Sequence, residues 1–91
     1  EGEIVYIDAA FNAVTNIPTQ MFKDTVQNKP FTAFVQSKTE WKIQKFHEEY
    51  EKAEGIYLTN NALGHIEITM FQGDVALLTS MNIGDKVIVQ Y

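Results

Sequence analysis

Cysteine is absent from the chain, and so is arginine: all seven basic residues are lysines. The first absence excludes disulfides, thiolate metal sites and thiol nucleophiles, and removes the usual clue to redox compartment. The second removes the planar guanidinium fork that grips phosphates and base edges in two places at once, which counts against a dedicated duplex-DNA binder. Long apolar runs are missing too. Nothing approaches the roughly 20 residues needed to cross a bilayer, and the opening Glu-Gly-Glu has none of the basic character of a signal peptide. The expectation is a soluble chain with no membrane partner, cytoplasmic by default. Beginning on Glu1 and ending on Tyr91 inside a strand-like run, it reads as a processed chain or an excised piece.

What is present suits one domain. The 91 residues, 45% of them hydrophobic, suffice for one core and are too few for two, so residues 1–91 are read as a single domain. A chain of this size buries only about 60 to 65% of its unfolded surface, so self-association would add usefully to its stability and a homodimer is expected. The net charge is −5, and the closest grouping of acids, Glu48, Glu49, Glu51 and Glu54, reads as the solvated face of a helix.

Glu3 to Ile7 is a short β-rich run ending at Asp8. Residues 9–27 are read as weakly helical and interrupted at Pro18, where a helix must break or begin. Asn28-Lys29-Pro30 is turn chemistry, and Phe31 to Gln36 is a strand. Ser37 and Glu40 form an S-x-x-E capping box, and Ile43, Phe46, Tyr50 and Ala53 then fall on one helical stripe, which predicts a helix over 37–54 closed by Gly55. Ile56 to Thr59 and His65 to Phe71 read as strands flanking the hairpin turn Asn60 to Gly64. Val75 to Met81 reads as a short helix and Lys86 to Tyr91 as a last strand.

From Phe31 onward this order is βαββαβ. The sequence therefore predicts an α+β two-layer sandwich with a ferredoxin-like core at residues 31–91, preceded by an N-terminal strand and weak helix. Two alternatives are a small α/β sheet of thioredoxin-like order, if 9–27 is one crossover helix, and an OB-like barrel, which the C-terminal third resembles.

Alternation sorts the strand residues into two faces. With Ala33, Val35, Ile56, Leu58, Ile66, Ile68 and Met70 against the helices, Phe34, Tyr57 and Phe71 emerge on the other side with Thr69, an uncovered aromatic face that calls for a cover. His65 and Glu67, two apart on one strand, form a polar cluster beside it. Two ligands do not make a metal site, and a third, His47 or Asp8, would have to come from elsewhere. Asp8 is a turn or capping residue under the preferred fold, and with Asn12 gains a ligand role only if the sheet is parallel. No P-loop, dinucleotide fingerprint, nucleophile with an adjacent base, or carboxylate pair is recognisable, so no catalytic residue and no cofactor is assigned.

The function expected from these features is a non-catalytic interaction or regulatory module that self-associates through the open sheet face. One alternative is a single-stranded nucleic-acid binder that stacks bases on the same aromatics and uses Lys29, Lys38, Lys42 and Lys86. The other is a small ligand-binding protein or enzyme built around His65 and Glu67.

Overall fold

A computed structural model describes residues 1–52, 54–71 and 73–91. Among them eight strands and two short helices follow one another as β1 (Gly2–Ile7), β2 (Ala13–Pro18), α1 (Thr19–Val26), β3 (Thr32–Gln36), β4 (Glu40–Ile43), β5 (Phe46–His47), β6 (Ile56–Asn60), β7 (His65–Met70), α2 (Val75–Thr79) and β8 (Lys86–Gln90). The strands join in the order β4-β3-β8-β1-β2-β7-β6-β5, with β1 the hinge between two halves. All pairings are antiparallel except the short β5–β6 one. The sheet curls until β4 lies against β6, giving a nearly closed half-barrel around Ile4, Val35, Leu58, Ile66, Ile68 and Val87. No helix among the described residues is long and apolar enough to cross a membrane.

This corrects the ferredoxin-like sandwich. The helix expected over 37–54 is instead β4, β5 and an irregular strap over residues 48–52; Ala53 lies outside the described residues. Ser37 caps nothing: its hydroxyl donates to the carbonyls of Thr39 and, more weakly, Thr79, and Glu40 pairs with Gln36 across a hairpin. The reason lies in the competing period. Trp41 and Ile43 alternate with Glu40 and Lys42, and β3 offers this run four paired positions, whereas a lone helical stripe offers only its own marginal propensity. The weak helix expected over 9–27 likewise divides. Its first half becomes a loop and β2, and its second half is α1, starting directly after Pro18, whose fixed φ and missing N–H suit a helix entrance.

Other expectations coincide with the structure. The β6–β7 hairpin turns on Asn61, whose side-chain oxygen accepts from the backbone N–H groups of Leu63 and His65, and on Gly64 at a φ of +83° that side chains disfavour. The helix α1 buries Thr19, Phe22 and Val26 on one stripe beside β2 and β7, while Val75 of α2 and the adjacent Met81 join the core. In β1 the pairing slips between Ile4 and Tyr6; this bulge leaves Val5 and Tyr6 both exposed while Ile4 stays fully buried.

Candidate functional site

The inner face of β7 is apolar, as its alternation requires: Ile66 and Ile68 are essentially inaccessible. Its outer face is equally buried and almost wholly polar. Glu67 and Thr69 are each 2% exposed, because a loop and the strap cover this side of β6 and β7. Polar groups buried there need partners, and the covering elements supply them to Glu67 and Thr69, though not to the Thr59 hydroxyl beside them.

The loop is residues 8–12. One carboxylate oxygen of Asp8 accepts from the backbone N–H groups of Ala10 and Asn12, both at 2.9 Å, closing a tight turn in which Phe11 adopts a left-handed φ of +62°. The Asn12 side-chain amide donates to the other Asp8 oxygen at 3.3 Å, and its carbonyl accepts from the Thr69 hydroxyl at 2.8 Å. The Phe11 carbonyl accepts from the Ala76 N–H at 2.9 Å, tying the loop to the start of α2.

The strap arrives from β5. Tyr57, 1% exposed on β6, holds its backbone at both sides: the phenol oxygen accepts from the Glu51 N–H at 2.9 Å and donates to the Glu51 carbonyl at 3.2 Å. His47 Nδ1 lies 3.2 Å from a Glu51 carboxylate oxygen, with its ring edge-on to Tyr57. Next along the strap, the Tyr50 hydroxyl donates to Glu67 Oε2 at 2.7 Å. Burial raises the Glu67 carboxyl above the usual carboxylate range and nearby Asp8 adds to this, while the hydrogen bond from Tyr50 works in the opposite sense. The Tyr50 hydroxyl is pushed well above the ordinary tyrosine value, first by burial and then by its bond to Glu67 and the surrounding negative charge.

Between loop and strap opens a cleft of about 540 Å³ lined by Asn12, Tyr50, Tyr57, Thr69, Phe71 and Gly73. On the other side of the Tyr50 ring lies a second cleft of about 400 Å³, with Tyr6, Val14 and Leu63 around Asp8, His65 and Glu67. A third, of about 720 Å³, lies between α1 and β5, where Lys23 is paired with Glu48.

The predicted site residues are thus distributed. Tyr57 and Thr69 line the first cleft, and Phe71, 41% exposed, stands at its rim. His65 and Glu67 line the second, but Glu67 bonds to Tyr50. Phe34 sits on β3, four strands away in the hydrogen-bonded order, with the Lys42 ammonium 5.8 Å from its ring centre. His47 serves the strap. Among the described residues no three His, Asp or Glu side chains gather as a metal would need. Sequence reasoning missed Tyr50, which it spent on a helical stripe, and undervalued Asn12. The available signal was an amide and a carboxylate four residues apart at a strand end, the Asx-turn spacing that projects an amide inward.

The aromatic face expected to be open at β6 and β7 is corrected in part: the chain's own strap buries Tyr57, while Phe71 stays exposed at the rim of the cleft. The comparisons correct the rest. The family model of the SAM hydroxide adenosyltransferase C-terminal domain matches residues 2–88. Among solved structures, an uncharacterized conserved protein from Thermotoga maritima shares this fold with a TM-score of 0.76 at 23% identity, the likeness covering 97% of this chain and 35% of that one. No curated protein matches. A domain of an enzyme family replaces the non-catalytic module and the leaning away from catalysis. From residue 2 to residue 88, covering β1, the loop, the strap and the cleft between them, this chain belongs to the SAM hydroxide adenosyltransferase C-terminal domain family.

Proposed function

We propose that the domain supplies the nucleoside-recognition part of an enzyme that transfers the adenosyl group of S-adenosylmethionine to hydroxide. The observation that carries this reading is the family match over residues 2–88, which includes every element that builds the cleft. The chain spans about a third of the related solved chain, so the complete reaction belongs to this proposal and not to the domain alone.

The chemistry fits the cleft. A purine needs flat apolar surface for its faces and amide-like groups for its edge. Tyr50 and Phe71 offer exposed rings, and Asn12 offers an amide whose orientation is set from both ends by Asp8 and Thr69. The substrate is a sulfonium cation, and the carboxyl groups of Asp8 and Glu67 behind the cleft, with the net charge of −5, provide a field that attracts it. In the transfer, hydroxide forms a bond to the ribose C5′, the carbon–sulfur bond breaks, and its electron pair stays on sulfur. Adenosine and neutral methionine thioether result.

Within this domain the role is recognition and orientation. Asp8 spends its carboxylate on the turn and Glu67 on Tyr50, so neither is placed as a base toward water. Titration of adenosine into the ¹⁵N-labelled chain tests the reading. Saturable shifts centred on Asn12, Tyr50 and Thr69 are expected; shifts centred on β3, or none at millimolar adenosine, would overturn it.

A further inference from the structure

The Tyr50 ring stands between two clefts, and little packing holds it there: the residue is 60% exposed on a strap with no helix or strand of its own at that point. A side chain so exposed ordinarily samples several rotamers. The bonds from Tyr57 fix the strap backbone at Glu51, one residue further on, and leave the Tyr50 side-chain torsions free. One polar contact of the ring itself remains, the 2.7 Å bond to Glu67.

Glu67 is an unusual anchor. It sits on β7, bonded on both sides by β2 and β6, with Val14 and Thr59 as its register partners, so its backbone is among the most constrained in the chain. Its side chain is buried beside Asp8 and forms no ion pair with any lysine or histidine among the described residues. A carboxyl group buried without a countercharge costs stability, and a same-sized apolar residue at this position would avoid that cost. Packing therefore does not account for it, whereas the hydroxyl it accepts does.

We propose that Glu67 is a positioning residue for the nucleoside cleft: by holding the Tyr50 hydroxyl it locks the ring at the boundary between the two clefts, in the orientation that stacks on the adenine. This rests on the reading of the first cleft as the nucleoside site. With the bond intact, the ring is a preformed wall and the ligand does not have to immobilise it; without it, the ring swings and the two clefts merge.

Adenosine affinity and the NMR signals of residue 50, measured on the 91-residue chain and its variants, test the two layers separately. Tyr50→Phe keeps the ring and removes only the hydroxyl. It should weaken adenosine binding about three- to tenfold, the effect of one hydrogen bond, with the fold intact by circular dichroism. Glu67→Gln keeps an acceptor oxygen and should bind within about twofold of the parent. Glu67→Ala, which removes the acceptor, should weaken binding about as much as Tyr50→Phe, and combining the two should be no worse than either alone, since both changes act through one bond. Tyr50→Phe binding as tightly as the parent overturns the proposal, and so does additivity in the double variant. If the parent itself fails to bind adenosine, the nucleoside reading falls, and the lock is judged by the ring signals alone. A single sharp set in the parent that broadens or averages on Glu67→Ala supports it; ring signals unchanged by Glu67→Ala refute it.

Discussion

The two faces of β7 are equally hidden from water but hidden by different means. Ile66 and Ile68 on the inner face belong to the apolar cluster of the half-barrel, while Glu67 and Thr69 on the outer face are covered by a loop and a strap that each supply a hydrogen-bond partner. The inner face is held by area and packing density, which many apolar sequences satisfy. The outer face is held by directed contacts, each of which specifies its partner. Burial alone would rank the faces together. The chemistry of what is buried separates a core from a site.

Substitutions on the two faces should therefore fail differently. The largest effect is expected from Leu58→Ala on β6, whose side chain is fully buried in the inner core. Denaturant unfolding should show a loss of about 2 to 5 kcal/mol from lost transfer energy and the remaining cavity. Equal stability would mean that the half-barrel collapses around the gap and that the inner face is not densely packed.

Asn12→Ala should come next. It leaves the buried Thr69 hydroxyl without its acceptor and frees Asp8 from one donor, for about 1 to 3 kcal/mol by the same measurement. Unlike the core change, it should also abolish adenosine shifts at temperatures where the variant is still folded. Binding that survives in proportion to the folded fraction would erase the distinction between the faces.

The smallest effect is a slope. Glu67 has a folded-state pKa raised above its unfolded value, so its contribution to stability is fully present below about 4.3, the ordinary glutamate value, and is lost as pH rises through the folded pKa. The stability of the parent minus that of Glu67→Gln should accordingly fall with rising pH across that window. The groups facing Glu67 are Asp8 from the loop, Tyr50 from the strap and His65 from its own strand. A flat difference would place the carboxyl in contact with water and take the outer face out of the buried class.

How far these regions were legible in the sequence follows the same division. The β6–β7 hairpin could be read because its alternation, its Asn-rich turn and Gly64 agree with one another and with the fold. The strap could not. Ile43, Phe46 and Tyr50 satisfy a helical spacing, yet Ile43 belongs to β4, Phe46 to β5 and Tyr50 to neither, and only the availability of β3 and β6 as partners decides between the two readings. Asn12 and Thr69 are 57 positions apart, and no local pattern announces a bond at that separation.

From the sequence alone came the strands with strict alternation, the turn chemistry, a helix boundary at Pro18 and the exclusion of thiol and guanidinium chemistry, because each depends on residue type or on spacing within a few positions. Which strands meet, how far the sheet curls, and the convergence of Asp8, Asn12, Tyr50, Glu67 and Thr69 were decided by the tertiary structure. Those outcomes depend on which distant edges are free to pair and on which buried polar groups can reach a partner. These are properties of the closed sheet and of no segment within it.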